Sequence, residues 1–121
     1  MKGFLLTLLS LILFMAFAPF ALLYQIFRHL QSVDRYFFSL AICVDQAGNV
    51  IASGLFNDIL IKSNGYKFGS VDETISSCVG KNKQRGTLRI CGKILYWILN
   101  SAEPNHSENA IEKDENDSNV P

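Results

Sequence analysis

The sequence predicts a mainly α-helical protein, with an N-terminal transmembrane helix, a small helical region and a disordered acidic tail. Three observations predict this fold class. The chain of 121 residues opens with an uncharged apolar run. Its middle carries apolar residues at spacings of three and four, which are typical of amphipathic helices. Its last residues are mostly acidic and polar. We place the three segments at residues 1–27, 28–102 and 103–121.

The first segment is uncharged from Gly3 to Leu23. A helix of roughly 20 apolar residues crosses a bilayer core of about 30 Å, and a helix satisfies its own backbone hydrogen bonds in lipid. Two alternatives stay open, a cleaved signal peptide and a buried helix of a soluble fold. Residues 16–18 read Ala-Phe-Ala, which fits a cleavage site, but Pro19 follows at once and the apolar run continues. We therefore favour an uncleaved anchor.

Basic residues near the first segment predict its orientation. Lys2 precedes the run, whereas Arg28 and Arg35 follow it. Because cytoplasmic flanks carry the excess of Lys and Arg, we expect a single-pass protein with a cytoplasmic C-terminal region. The cysteines have no Cys-x-x-Cys spacing, so neither a disulfide framework nor a zinc site is predicted. They are Cys43, Cys78 and Cys91.

The stretch from residue 33 to residue 61 predicts one amphipathic helix that lies in the membrane interface or packs against the anchor. Five polar residues fall on one side at helical spacing, with Asp45 at the border of that side; the five are Ser39, Gln46, Asn49, Ser53 and Asn57. A second membrane span is the less favoured alternative, because an aspartate near a helix centre costs about 2.5–3.5 kcal/mol on insertion scales. Two β-rich runs joined by a turn at residues 45–49 are another alternative.

A short helix is predicted after residue 69. Ser70 and Glu73 have the spacing of a capping box, in which a hydroxyl and a carboxylate satisfy free amides at a helix start. The negative charges of Asp72 and Glu73 would also be stabilised by the positive end of the helix dipole. Gly80 is a typical helix stop, so we expect a helix of about two turns that ends there.

A basic loop at residues 81–86 and a second amphipathic helix follow. Thr87 is the predicted start of this helix and Pro104 its end. The helix would turn an apolar stripe towards the acyl boundary or towards another helix. The members of this stripe are Leu88, Cys91, Leu95 and Ile98, and it is widened by Ile94, Trp97 and Leu99. Residues 103–121 contain little apolar surface, so we predict that this tail is disordered.

One string of residues resembles a known family. It reads Asp-Glu-Thr-Ile-Ser-Ser and comprises Asp72, Glu73, Thr74, Ile75, Ser76 and Ser77. With Asp-Gln-Ala-Gly-Asn at 45–49 and Pro-Asn-His at 104–106, it resembles a family of small uncharacterised proteins of bacterial, phage and prophage genomes. The resemblance covers about residues 33–111. It implies a mainly helical region and a mobile-element origin, and it implies no established reaction.

Two positions depart from the family pattern. Cys78 stands where relatives often carry Arg, and Ser107 stands where many carry Cys directly after the His. If the family used that His-Cys pair for a metal or redox role, this chain would lack it.

No catalytic, cofactor or metal site is predicted. A serine nucleophile such as Ser76 needs a base within hydrogen-bond reach, and the candidates are His29 and His106, whose sequence contexts do not suggest activation. The capping box explains Ser70, Asp72 and Glu73 without chemistry. Residues 80–87 lack the order of a phosphate-binding loop. We therefore do not expect an enzyme.

The basic residues suggest a membrane partner. Near a cytoplasmic surface each charge attracts anionic lipid by about 1 kcal/mol, and a solvated loop is the alternative. The residues are Lys81, Lys83, Arg85, Arg89 and Lys93.

We therefore expect a non-enzymatic protein of a bacterial inner membrane, of phage or mobile-element origin. It would act through contacts with the membrane surface and with proteins, including copies of itself, and it would bind no nucleic acid and no cofactor. A holin-like protein that permeabilises the membrane is the alternative.

Overall fold

The structure, a computed structural model, describes residues 1–111 and is mainly helical there, as predicted. Its helices are α1 (Lys2–Arg28), α2 (Val33–Ile51), α3 (Ser53–Ile59), α4 (Ile75–Arg85), α5 (Ile90–Ala102) and α6 (His106–Asn109), with a 3₁₀ turn at Leu30–Ser32. The chain divides into two compact units, one comprising Met1–Ser39 and the other beginning at Leu40.

The first unit contains α1, which is long and apolar enough to cross a membrane. A signal sequence or the core helix of a soluble protein can have the same length and composition. None of the residues of α1 is buried, however, whereas a core helix is mostly buried. Pro19 lies inside the helix and does not end it.

The predicted single helix over residues 33–61 is broken in the structure. α2 ends at Ile51, α3 begins at Ser53, and the axis turns by 71° between them. The Ser53 hydroxyl donates to the carbonyl of Val50 at 2.9 Å, a local bond of the kind that competes with regular helix bonding. Gly54, directly after the break, also lowers helix propensity by about 1 kcal/mol.

The second unit has a small core around α4. Its buried apolar residues are Leu60, Ile61, Phe68, Cys78, Val79 and Leu88. An isolated antiparallel bridge pairs Ile61 with Leu88, and this bridge occupies the residues that were predicted to start the last amphipathic helix. For that reason α5 begins at Ile90 rather than at Thr87.

Three asparagine side chains hold the irregular segment between α3 and α4. Asn57 accepts from the amide of Phe68 at 2.8 Å, and Asn49 donates to the carbonyl of Glu73 at 2.7 Å. Asn82 accepts from the amide of Tyr66 at 2.8 Å. An asparagine side chain offers both a donor and an acceptor, so it can replace the backbone partner that this segment lacks.

The boundaries predicted for the short helix were wrong. α4 ends at Arg85, and the residue that caps it, Gly86, has a left-handed φ of 68°. Gly80 lies inside α4, where a Cβ would come 2.2 Å from the carbonyl oxygen of Ser107. The glycine is needed because α6 packs directly on α4, and not because the helix stops there.

The predicted start of the disordered tail was also wrong. Residues 106–109 form α6, and Ser107 is fully buried. Residues 112–121 lie outside the described residues.

Candidate functional site

A buried ion pair lies at the centre of the second unit. The Glu73 carboxylate accepts from the hydroxyls of Ser77 at 2.7 Å and Tyr66 at 2.6 Å, and the Lys81 ammonium lies 2.6 Å from it. Lys81 also lies 4.4 Å from the centre of the Tyr66 ring. A buried charge is tolerated only when it is paired and hydrogen-bonded. These residues therefore hold α4 and its preceding loop together.

This network shifts the acidity of its members. Burial raises the pKa of the Tyr66 hydroxyl, and the hydrogen bond to Glu73 raises it further. Burial alone would lower the pKa of Lys81, but its bonds to Glu73 and Tyr66 outweigh that effect and raise it. Burial also raises the pKa of the Cys78 thiol, so this cysteine is an unreactive thiol in the folded protein.

A second polar cluster joins Asp45, Ser76, Glu103 and His106. The Ser76 hydroxyl lies 3.1 Å from Asp45 Oδ2 and 3.2 Å from His106 Nε2. His106 Nδ1 lies 3.0 Å from the Glu103 carboxylate. The cluster thus connects α2, α4 and the start of α6, whose residues lie about 30 positions apart in the chain.

The order serine, imidazole and carboxylate is that of a nucleophile, its base and the acid that orients the base. A catalytic serine must also meet its substrate. Ser76 is only 3% exposed, and its hydroxyl proton has Asp45 as an alternative acceptor. His106 sits on α6, the helix that packs over α4, so moving the cover away would remove the base as well. In this conformation the cluster fastens the helices to one another.

The structure corrects the predicted cap. The side chain of Thr74, not of Ser70, accepts the amide of Ser77 at 3.1 Å. Asp45 accepts the amide of Ile75 at 3.1 Å. Glu73 cannot reach back as a capping residue because its carboxylate is held by Lys81. Ser70 and Asp72 lie exposed before the helix.

The predicted lipid-contact residues do not form one group. Lys81 is only 7% exposed and is paired with Glu73, so its prediction as a lipid contact was wrong. It lies inside α4 and not in the predicted basic loop. Lys83 and Arg85 are exposed, and each lies near a tyrosine ring, at 5.2 Å from that of Tyr96 and 5.0 Å from that of Tyr66. Arg89 and Lys93 are exposed at the start of α5.

One face of α5 carries large apolar side chains that the second unit does not cover. These are Ile90, Ile94, Trp97 and Ile98, exposed by 77%, 54%, 69% and 52%, and we call them the α5 ridge. The opposite face packs on the core through Leu95 and Leu99. The predicted stripe is therefore divided between the two faces, because Leu88 is buried and Leu95 faces inward, whereas Cys91 and Ile98 are exposed.

Sequence reasoning also missed site residues. It named His106 only as a candidate base for Ser76 and gave Asp45 no role beside that serine, since residues so far apart in sequence are brought together only by the tertiary fold. Within residues 1–111, no three His, Cys, Asp or Glu side chains are placed so that they could hold a metal ion.

Comparison with protein-family models, with curated proteins and with solved structures found no match for this chain. The family resemblance therefore depends on the residues that carry it and stays a prediction.

Proposed function

We propose that this chain is a non-enzymatic protein anchored in a bacterial inner membrane by α1, whose second unit binds the membrane surface through the α5 ridge. The ridge is the observation that carries the proposal. The C-terminal region of the chain would lie in the cytoplasm. A phage or mobile-element origin follows from the family resemblance alone.

The exposure of α1 supports the anchor. Its Leu, Phe, Ile and Met side chains are almost all exposed; Phe14, Phe17 and Phe20, for example, are 61%, 67% and 75% accessible. Soluble monomers rarely expose continuous apolar patches beyond a few hundred Å². A bilayer core covers such a helix completely without any unpaired backbone group.

The α5 ridge has the composition of a helix that lies in a membrane interface. Such helices place Trp and aliphatic side chains at the acyl boundary and basic residues beside the headgroups. Trp97 and the three isoleucines supply the first group, and Arg89 with Lys93 supplies the second. The alternative is that a second copy of the chain, instead of the membrane, covers this ridge.

The covered position of Ser76 supports a non-enzymatic role. A hydrolase would need space for a substrate at the Ser76 hydroxyl, and this atom lies between Asp45 and the imidazole of His106. The residues that resemble a catalytic triad already have a structural function in the contact of α6 with α4.

A holin-like activity is a weaker proposal. A holin lesion would call for a second span, and α2 with α3 is apolar enough only as a pair bent by 71°. That span would also remove Asp45 and Asn49 from the contacts that they make with α4 and its loop. Timed induction of the full-length chain in growing cells tests this proposal, because rapid loss of membrane potential would support a holin.

The anchor is tested by alkaline carbonate extraction of membranes that contain the full-length chain. We expect the chain to stay in the membrane pellet. Release into the soluble fraction would contradict the proposal.

The surface contact is tested with Trp97, the single tryptophan of the chain. In vesicles that contain anionic lipid, acrylamide should quench Trp97 weakly, and salt should restore quenching because it screens charges over about 10 Å at 0.1 M. Strong quenching in every vesicle composition would show that the ridge stays in water.

A further inference from the structure

The geometry points to a binding site for one anionic lipid in a groove between the end of α3 and the start of α5. The groove has a volume of about 500 Å³. It combines three cations, Lys62, Arg89 and Lys93, with apolar side chains that include Ile59, Leu88 and Ile90. The inference deepens the proposed function and rests on it, because a lipid is at hand only if the second unit lies on a membrane.

The positive charges that line the groove favour the binding of an anion. Its lining contains three cations and no carboxylate. Among residues 1–111, none of these cations takes part in an ion pair; the Lys62 ammonium bonds only the carbonyl of Gly86, at 3.3 Å. Like charges that converge without a counter-charge repel one another, and phosphate oxygens are preferred partners of Arg and Lys.

The apolar lining favours a lipid over a free phosphate ion. Leu88 forms the buried floor with 3% exposure, while Ile59 and Ile90 stand 41% and 77% exposed. A phosphate ion would engage only the cations and leave these side chains in water. An amphiphile would cover both, with its headgroup on the cations and the start of an acyl chain over the isoleucines.

The number of cations indicates the headgroup class. A phosphomonoester carries a charge of about −1.5 to −2 near pH 7, as a phosphorylated side chain does. It therefore balances three cations better than a phosphodiester with a single negative charge. The inferred ligand is an anionic lipid with a phosphomonoester headgroup, of the phosphatidic acid class.

The test uses the full-length chain in neutral detergent micelles, where native mass spectrometry counts bound lipids during a titration. Phosphatidic acid, phosphatidylcholine and inorganic phosphate form the three arms. We expect one phosphatidic acid per chain, with much weaker binding in the other two arms. Lys62→Gln should weaken this binding about fivefold, as expected for the loss of one lipid-facing charge.

Lys67→Gln is the matched control. Lys67 is exposed and bonds a neighbouring carbonyl, that of Ser63 at 3.3 Å, but it does not line the groove. Equal binding by the two variants would overturn the site, and inorganic phosphate binding as tightly as the lipid would overturn the lipid assignment. Trp97 shielding in vesicles should persist in Lys62→Gln, so failure of the groove and failure of the ridge are seen in separate readouts.

Discussion

At the residue scale, the second unit is held together by buried polar groups as much as by apolar ones. Asn49, Asn82, Ser77 and Ser107 are fully buried, and the first three have hydrogen-bond partners. Buried polar groups with partners contribute modestly to stability, whereas an unpaired one costs about 1–3 kcal/mol.

Ser107 is the exception and gives the first prediction. Its buried hydroxyl has no hydrogen-bond partner within residues 1–111. Ser107→Ala should therefore raise the free energy of unfolding by about 1 kcal/mol. Ser77→Ala, the matched control, should lower it, because Glu73 loses a donor at 2.7 Å.

Cys78 provides the measurement for these variants. It is fully buried, so in a Cys43→Ser, Cys91→Ser background its labelling by a thiol reagent reports unfolding of the second unit. The full-length chain in mild detergent would be titrated with urea. A stabilised Ser77→Ala or a strongly destabilised Ser107→Ala would contradict the hydrogen-bond assignment.

The buried ion pair gives the second prediction. Lys81→Met leaves the Glu73 carboxylate buried without its cation and should cost about 3–5 kcal/mol of stability. The double variant Lys81→Met, Glu73→Gln removes both charges and should recover a large part of that loss. Additive losses in the same thiol-labelling assay would show that the two side chains do not interact.

Lys81 and Tyr66, which both contact the Glu73 carboxylate, contribute to the pH dependence of stability. The pKa values of Lys81 and Tyr66 are both raised in the folded protein. Groups with raised pKa values bind more protons when folded, so their stabilisation is complete below the unfolded values near pH 10 and is lost as pH rises above them. Stability should thus decline in the alkaline range, and the double variant, which keeps Tyr66, should decline less.

At the element scale, α4 is the organising helix, and its cap gives the third prediction. Thr74→Val keeps the shape of the side chain but removes the hydroxyl that accepts from Ser77. It should cost about 1 kcal/mol, a typical value for a lost cap. Ser70→Ala should cost little, because the Ser70 side chain is exposed. A larger loss of stability for Ser70→Ala than for Thr74→Val in urea titrations would support the predicted capping box instead.

The contact between α4 and α6 gives the fourth prediction. Gly80→Ala would place a methyl group 2.2 Å from the Ser107 carbonyl oxygen, so α6 must move away, and we expect a loss of several kcal/mol. Gly54→Ala in α3 meets nothing within 4 Å and should gain up to about 1 kcal/mol in helix propensity. Similar thiol-labelling midpoints for the two variants would refute the packing of α6 on α4.

Sequence reasoning reached the mainly helical class and the long apolar helix α1, because both depend on local pattern. It failed where local signals were overruled by contacts between distant residues. The Ser-x-x-Glu spacing predicted a cap at Ser70, but Lys81 takes the Glu73 carboxylate. Gly80 was predicted to end the helix because glycine is common at helix ends. The actual reason for the glycine, its close contact with Ser107, involves a residue 27 positions further along the chain. The predicted stripe of α5 included Ile94, Trp97 and Ile98, but the sequence did not separate these exposed residues from the inward-facing Leu95 and Leu99, because α5 is apolar on both faces.

At the scale of the whole molecule, the chain contains an apolar helix and a small folded unit that exposes a second apolar surface. Both surfaces are unfavourable in water, and one membrane could cover both. We propose that α1 spans this bilayer and that the α5 ridge lies in its interface.

Depth-dependent quenching of Trp97 by brominated lipids measures whether the α5 ridge lies in the bilayer interface. In vesicles with anionic lipid, the full-length chain should show strong quenching by bromines near the headgroups and weaker quenching by bromines near the acyl ends. An Ile94→Ser, Ile98→Ser variant should lose most of it. Trp97 that is shielded from acrylamide yet unaffected by every brominated lipid would place the ridge against a second copy of the chain and contradict the account.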